Sequence, residues 1–141
     1  MIEPDEVYPV DVLLPTGATT LGEFLLWEES PSNQDWVRLV LRFSGREYEE
    51  AAEGFFDALV KIRSRLEAET IILNCFGSSR NVFPSPMILS MGPGMKAYRL
   101  KMGASTKMED LVCIFEHGPD IQPATIIEQE EFYREWLKSL R

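Results

Sequence analysis

Hydrophobic positions along the chain recur with two different periods. From Trp36 to Phe43 they alternate: Val37, Leu39, Leu41 and Phe43 share one face, and Trp36, Arg38, Val40 and Arg42 share the other. A period of two marks a strand with distinct faces. Residues 22–28 (GEFLLWE) form a similar run, and the polar segment SPSNQD lies between the two, so a hairpin is expected. Residues 7–13 read as an earlier strand. Pro9 suits an edge position, because proline cannot donate to a ladder.

The period then changes. Tyr48, Ala52, Phe55, Leu59, Ile62 and Leu66 recur at spacings of 4, 3, 4, 3 and 4, an apolar helical stripe. Ser44 and Glu47 have the spacing of a capping box in front of it. Acidic residues fill the first half (Glu47, Glu49, Glu50, Glu53, Asp57) and basic ones the second (Lys61, Arg63, Arg65), the order that favours the helix dipole. Gly54 would cost about 1 kcal/mol in a helix interior, so close packing is expected there. Residues 70–76 and 111–115 read as buried strands, 96–102 as an alternating strand and 124–127 as a short one. Residues 128–140 form a second helix with Phe132, Trp136, Leu137 and Leu140 on one face. Three strands precede any helix, so their connections are hairpin-like. The pattern predicts a single α+β domain over residues 1–141. Its sheet is mostly antiparallel or mixed, of about 5–7 strands, with two helices packed on one face.

Between the runs at 70–76 and 96–102 lies a segment rich in glycine, proline and methionine, with Gly77, Pro84, Pro86, Gly92, Pro93 and Gly94. Long irregular loops in small domains are more often functional than ordinary connections. Residues 77–80 (GSSR) could cradle an anion, with Arg80 and Asn81 as anchors, or form a polar turn. Met87, Met91 and Met95 could make an adaptable binding surface or fill a core. Arg38 and Arg42, with Trp36 beside them, have the composition of an interface hot spot; ion pairing with helix carboxylates is the plainer reading.

Charge narrows the partners. Lys plus Arg total 14 and Asp plus Glu total 23, a formal net charge of −9. That argues against nucleic acid and against an anionic membrane, and suits a basic protein partner. No apolar run approaches the ~18 residues of a membrane span, and the acidic start lacks a secretion signal, so a cytoplasmic location is expected. Cys75 and Cys113 have no metal-ligand spacing, so no metal or cofactor is expected. His117 is the one histidine, hence the one imidazole base available to a Cys75 nucleophile.

The segments NCFGSSRNVFPSPMILSMGPGMKAYRLKMG, EDLVCIFEHG and EQEEFYREWLKSL resemble a family of small uncharacterised bacterial proteins that sit near toxin–immunity loci. The resemblance covers roughly residues 70–141 and implies an immunity-type protein that neutralises a toxin by binding it. It carries no functional motif, so no residue roles follow from it. The expected function is therefore a non-enzymatic protein-binding module that occludes the active site of a basic toxin. An anionic-ligand binding protein or enzyme with a pocket under the 77–95 loop is the alternative. A symmetric homo-oligomer contact through the Trp36, Arg38, Val40 and Arg42 face is a third reading.

Overall fold

In the computed structural model, which describes residues 2–90 and 92–141, the alternating runs become an antiparallel meander. β1 (Glu6–Leu13) pairs with β2 (Thr19–Trp27), β2 with β3 (Val37–Phe43), and β3 with β4 (Arg46–Ala52). A fifth strand, β5 (Ile72–Asn74), adds to the free side of β1, giving the order β4-β3-β2-β1-β5.

β4 replaces the expected first half of the long helix. Ser44 and Gly45 both have positive φ, 49° and 74°, and connect the paired residues Phe43 and Arg46. That is the primed two-residue hairpin turn, whose twist matches the flanking strands. Ser44 therefore turns a hairpin and caps no helix. Tyr48 and Ala52 are four apart, an even spacing that shares a face in either a strand or a helix. Pairing with β3 decides for the strand. Helix α1 (Phe55–Glu67) starts only afterwards, with Gly54 at its N-cap and not in its interior. The close packing expected at Gly54 is present: a Cβ there would lie 3.3 Å from the Pro93 carbonyl oxygen.

α1 covers the inner face of the sheet. Val10, Val12, Phe24, Leu26, Leu39, Leu41 and Phe43 join Phe55, Leu59, Ile62 and Leu66 in one buried cluster. Each such side chain contributes about 1.5–3 kcal/mol by leaving water. Lys61 Nζ and Arg65 Nη1 of α1 reach the outward carbonyls of Ala51 and Glu49 on edge strand β4. Both contacts blunt an edge that could otherwise pair with another chain.

The remaining strands do not extend this sheet. β6 (Val82–Phe83), β7 (Lys96–Arg99) and β8 (Leu111–Cys113) form a separate three-stranded antiparallel sheet. Phe115, just after β8, closes the join: its ring centroid lies 4.9 Å from Phe24 and 5.8 Å from Phe55. A short helix, α2 (Pro86–Ser90), connects β6 towards β7. Residues 124–127 are not a strand. Thr125 and Glu128 form a capping box, and helix α3 runs from Ile126 to Ser139 against β6 and α1. The described residues thus form an α+β fold of eight strands in two antiparallel sheets with three α-helices.

Gly77 sits where the layers meet. A Cβ there would fall 2.5 Å from Leu59 Cδ2 and 2.9 Å from Ile114 Cβ. Gly77→Ala should therefore lower stability by about 1–3 kcal/mol through overpacking. Urea unfolding should show a lower midpoint at an unchanged slope.

Candidate functional site

The glycine- and serine-rich part of the 77–95 segment is turned inward. Gly77, Ser78 and Ser79 are buried. The Gly77 amide donates to the Ile114 carbonyl (2.8 Å), Ser78 to Cys75 (3.0 Å), Ser79 to Phe76 (3.0 Å) and Arg80 to Gln122 (2.8 Å). An anion cradle needs those amides pointing outward, so residues 77–80 are a structural junction. Arg80 is exposed, with its guanidinium carbon 4.7 Å from the Phe132 ring centroid. Asn81 accepts from the Ser79 hydroxyl at 2.6 Å, and its carbonyl accepts from the Leu100 amide at 2.6 Å.

The Gly92-Pro93-Gly94 bend also serves the fold. The Pro93 carbonyl accepts from the Phe55 amide at 2.6 Å, satisfying one of the donors that a helix start leaves open. Gly94, at φ 83°, lets the chain pass 3.2 Å from that same amide, measured from where a Cβ would sit. Met95 packs half-buried against the core, whereas Met87 on α2 is 69% exposed. Met91 lies outside the described residues. Of the three methionines, the structure places Met95 in the packing role and Met87 at the surface.

Beneath this segment lies a buried polar hub. Arg63 of α1 is 2% exposed and Gln129 of α3 is 1% exposed. Arg63 Nη1 donates to Gln129 Oε1 (2.6 Å) and the Gly77 carbonyl (3.1 Å), and Nη2 donates to the Ala124 carbonyl (3.1 Å). Gln129 Nε2 donates to the carbonyls of Gly77 (3.1 Å), Ser79 (3.0 Å) and Val82 (2.8 Å). Burial pushes the Arg63 guanidinium below its ordinary pKa. The hydrogen bonds of this hub run to buried carbonyls, so it positions residues 77–82.

The cysteine–histidine pair is not assembled as a nucleophile. Cys75 is 1% exposed, and burial pushes its thiol from the ordinary 9.0 to about 11. Burial likewise raises the Cys113 thiol. His117 is exposed on the loop after β8. Both cysteines are free thiols. No group of three or more potential metal ligands occurs among the described residues.

The outer face of the five-stranded sheet is different in kind. The side chains of Leu21, Glu23, Leu25 and Trp27 of β2 and of Arg38, Val40 and Arg42 of β3 lie on the side opposite Phe24, Leu26, Leu39 and Leu41, which join α1 in the core. Leu25, Trp27 and Val40 nevertheless form a small buried cluster. Arg38 lies over Trp27, its guanidinium carbon 4.1 Å from the ring centroid, and pairs with Glu49. That pairing holds the Glu49 carboxyl below its ordinary range. Arg42 pairs with Glu47 at 2.7 Å. Both arginines predicted as contact residues are thus engaged by carboxylates of β4, not by helix carboxylates. Trp36 stands apart from them, before β3, with Lys61 Nζ 5.3 Å from its ring centroid.

Two hollows flank the buried cluster. One, of about 640 Å³, is lined by Trp27 and Arg38 together with Ile2, Asp5, Glu28 and Glu29. The other, of about 470 Å³, lies among Leu21, Glu23, Arg42 and the Ser44-Gly45 turn. The carboxylates here were not singled out from sequence. The alternation of β2, carried outward through Leu21, Glu23, Leu25 and Trp27, is the signal that places Glu23 on this face.

No protein-family model matches the chain, and no curated protein matches it in sequence. No helix among the described residues is long and apolar enough to cross a membrane.

The hub and the buried thiol can each be tested. Gln129→Leu would take an acceptor from Arg63 and a donor from the Ser79 and Val82 carbonyls, while Gly77 keeps Arg63, and should cost on the order of 3 kcal/mol. Arg63→Leu combined with it should cost less than the sum of the two single changes, as a double-mutant cycle by urea unfolding would show. The Cys75 thiol should resist alkylation in the native protein at neutral pH and react after unfolding. Because folding raises its pKa, its contribution to stability is full below about 9 and is lost as pH rises through about 11. Unfolding midpoints of the wild type and Cys75→Ala should converge in slope below that window and diverge across it.

Proposed function

We propose that the protein is a non-enzymatic binding module for a basic protein, of the immunity type that its C-terminal half resembles. The observation that carries this reading is the state of its charge. Only four of the 23 carboxylates, Glu47, Glu49, Glu50 and Glu69, form ion pairs among the described residues, and these occupy Arg38, Arg42, Arg65 and Arg46. The other carboxylates form no ion pair among the described residues: four taken from 23 leaves 19, against the 10 left when four are taken from the 14 lysines and arginines. A surface of this kind accelerates encounter with a positive partner and repels nucleic acid and further copies of itself.

The chemistry of the other segments agrees. The thiol is sealed in the core, the anchors Arg80 and Asn81 are bound to their own chain, and the glycine turns cap a helix. In this reading the protein acts by covering the partner's working surface. A cytoplasmic location belongs to the same proposal.

Titration calorimetry of the purified chain against the basic protein encoded beside it tests the idea. A stoichiometric complex is expected, with Kd weakening about tenfold or more between low and high salt. Failure to form a complex at low salt would remove the proposal.

A further inference from the structure

We infer that the docking surface is the outer face of the five-stranded sheet, and that its occupant is a basic protein surface with an apolar centre. This rests on the binding-module reading and adds where the partner sits and what it presents.

The register of the strands builds the surface. Val7, Leu25 and Val40 stand side by side across β1, β2 and β3. Val7 is 51% exposed and Leu21, further along β2, is 69% exposed. At the Trp27 end, Asp5, Glu28 and Glu29 rim the larger hollow. At the other end, Glu23 stands beside the Arg42–Glu47 pair. Glu23 and Trp27 are four residues apart on β2, roughly 13 Å at ~3.3 Å per residue. Of this row Val7 is exposed while Leu25 and Val40 are buried beside it, and acidic groups flank it on both sides along the strand direction, an arrangement that asks for an apolar centre with lysine or arginine on either side.

The arginines of this face do not oppose such a partner. Arg38 and Arg42 are each matched by a carboxylate of β4, so the uncompensated charge on the face is negative. The same excess disfavours a second copy, because Glu23, Glu28 and Glu29 would face their own kind. The 86–95 segment lacks this complementarity: Met87 and Leu89 are exposed there, with no acidic residue between Pro84 and Lys96.

The test uses the full chain, labelled for amide NMR, and a synthetic peptide with lysine pairs on either side of a leucine–valine–leucine centre. Saturable shifts at Val7, Leu25, Trp27 and Val40 are expected. Glu28→Lys combined with Glu29→Lys should weaken binding about tenfold or more, while Met87→Glu should leave it within about twofold. Both acidic positions are exposed, so a folded spectrum is expected for each variant. Saturable shifts centred on Met87 and Leu89, unaffected by the charge reversals, would overturn the assignment of the surface and leave the binding-module reading standing. Absence of saturable binding would remove the basic-partner reading itself. Concentration-dependent dimerisation blocked by the same reversals would identify a second copy as the occupant and overturn the proposal.

Discussion

The two-sheet arrangement depends on a guanidinium buried without a carboxylate. Arg63 projects from α1 into a site closed by α3 and the 77–82 segment, and its acceptors are the neutral oxygens of Gly77, Ala124 and Gln129. Taking a cation out of water costs several kcal/mol unless its donors are matched. Two of its nitrogens are matched, and Nε has no partner among the described residues. The cost is offset because one side chain fixes three stretches of chain that are distant in sequence. Gln129 completes the arrangement: accepting from Arg63 sets its amide orientation, which aims Nε2 at the three carbonyls of residues 77, 79 and 82. Glu67 adds a tie between the same helices by accepting from the Ile126 amide at 2.9 Å.

That hub decides which surfaces remain for function. The glycine- and serine-rich segment has the composition of a ligand loop, but its backbone amides and the Ser79 hydroxyl are consumed in joining the layers. Its proline–glycine bend is consumed in starting α1. What stays outside is the far side of the first sheet, opposite the face that α1 covers. Arg38 is spread over Trp27 there. Side chains of this kind can cover apolar surface while keeping their heads in water.

The strands that alternate strictly could be read directly from the chain. β2 and β3 lie where residues 22–28 and 36–43 predicted them, and the α+β class follows from the order of elements. The helix boundary could not be read in the same way, because Tyr48 and Ala52 suit either period and the choice is made by a partner strand. Ser44-Gly45 was a local sign of the turn, outweighed by the capping-box spacing. The hub had a fainter signature. Gln129 precedes Phe132 by three residues and Trp136 by seven, so a polar side chain falls on the apolar face of α3. Arg63 follows Leu59 by four, at the border of the α1 stripe. Polar residues in such places ask for buried partners, but their carbonyl acceptors are backbone atoms that no residue type announces. The second sheet was hidden because its strands are only two to four residues long.

The outer face can be understood from the cost of leaving it uncovered. Leu25, Trp27 and Val40 would be ordinary surface residues on an open sheet, yet each is buried. The charges beside them are arranged in pairs along β3 and β4, with Arg38 over Trp27, while Glu23 stands towards one end of β2 and Glu28 and Glu29 beyond the other. Exposed ion pairs of this sort contribute little to stability, about 0–1 kcal/mol each. They are therefore cheap to rearrange. A cover held so lightly keeps the apolar row from water in the isolated molecule and yields to a partner that brings cations of its own. The same sheet is thus rigid on one side, where α1 and the Arg63 hub fix it, and chemically open on the other.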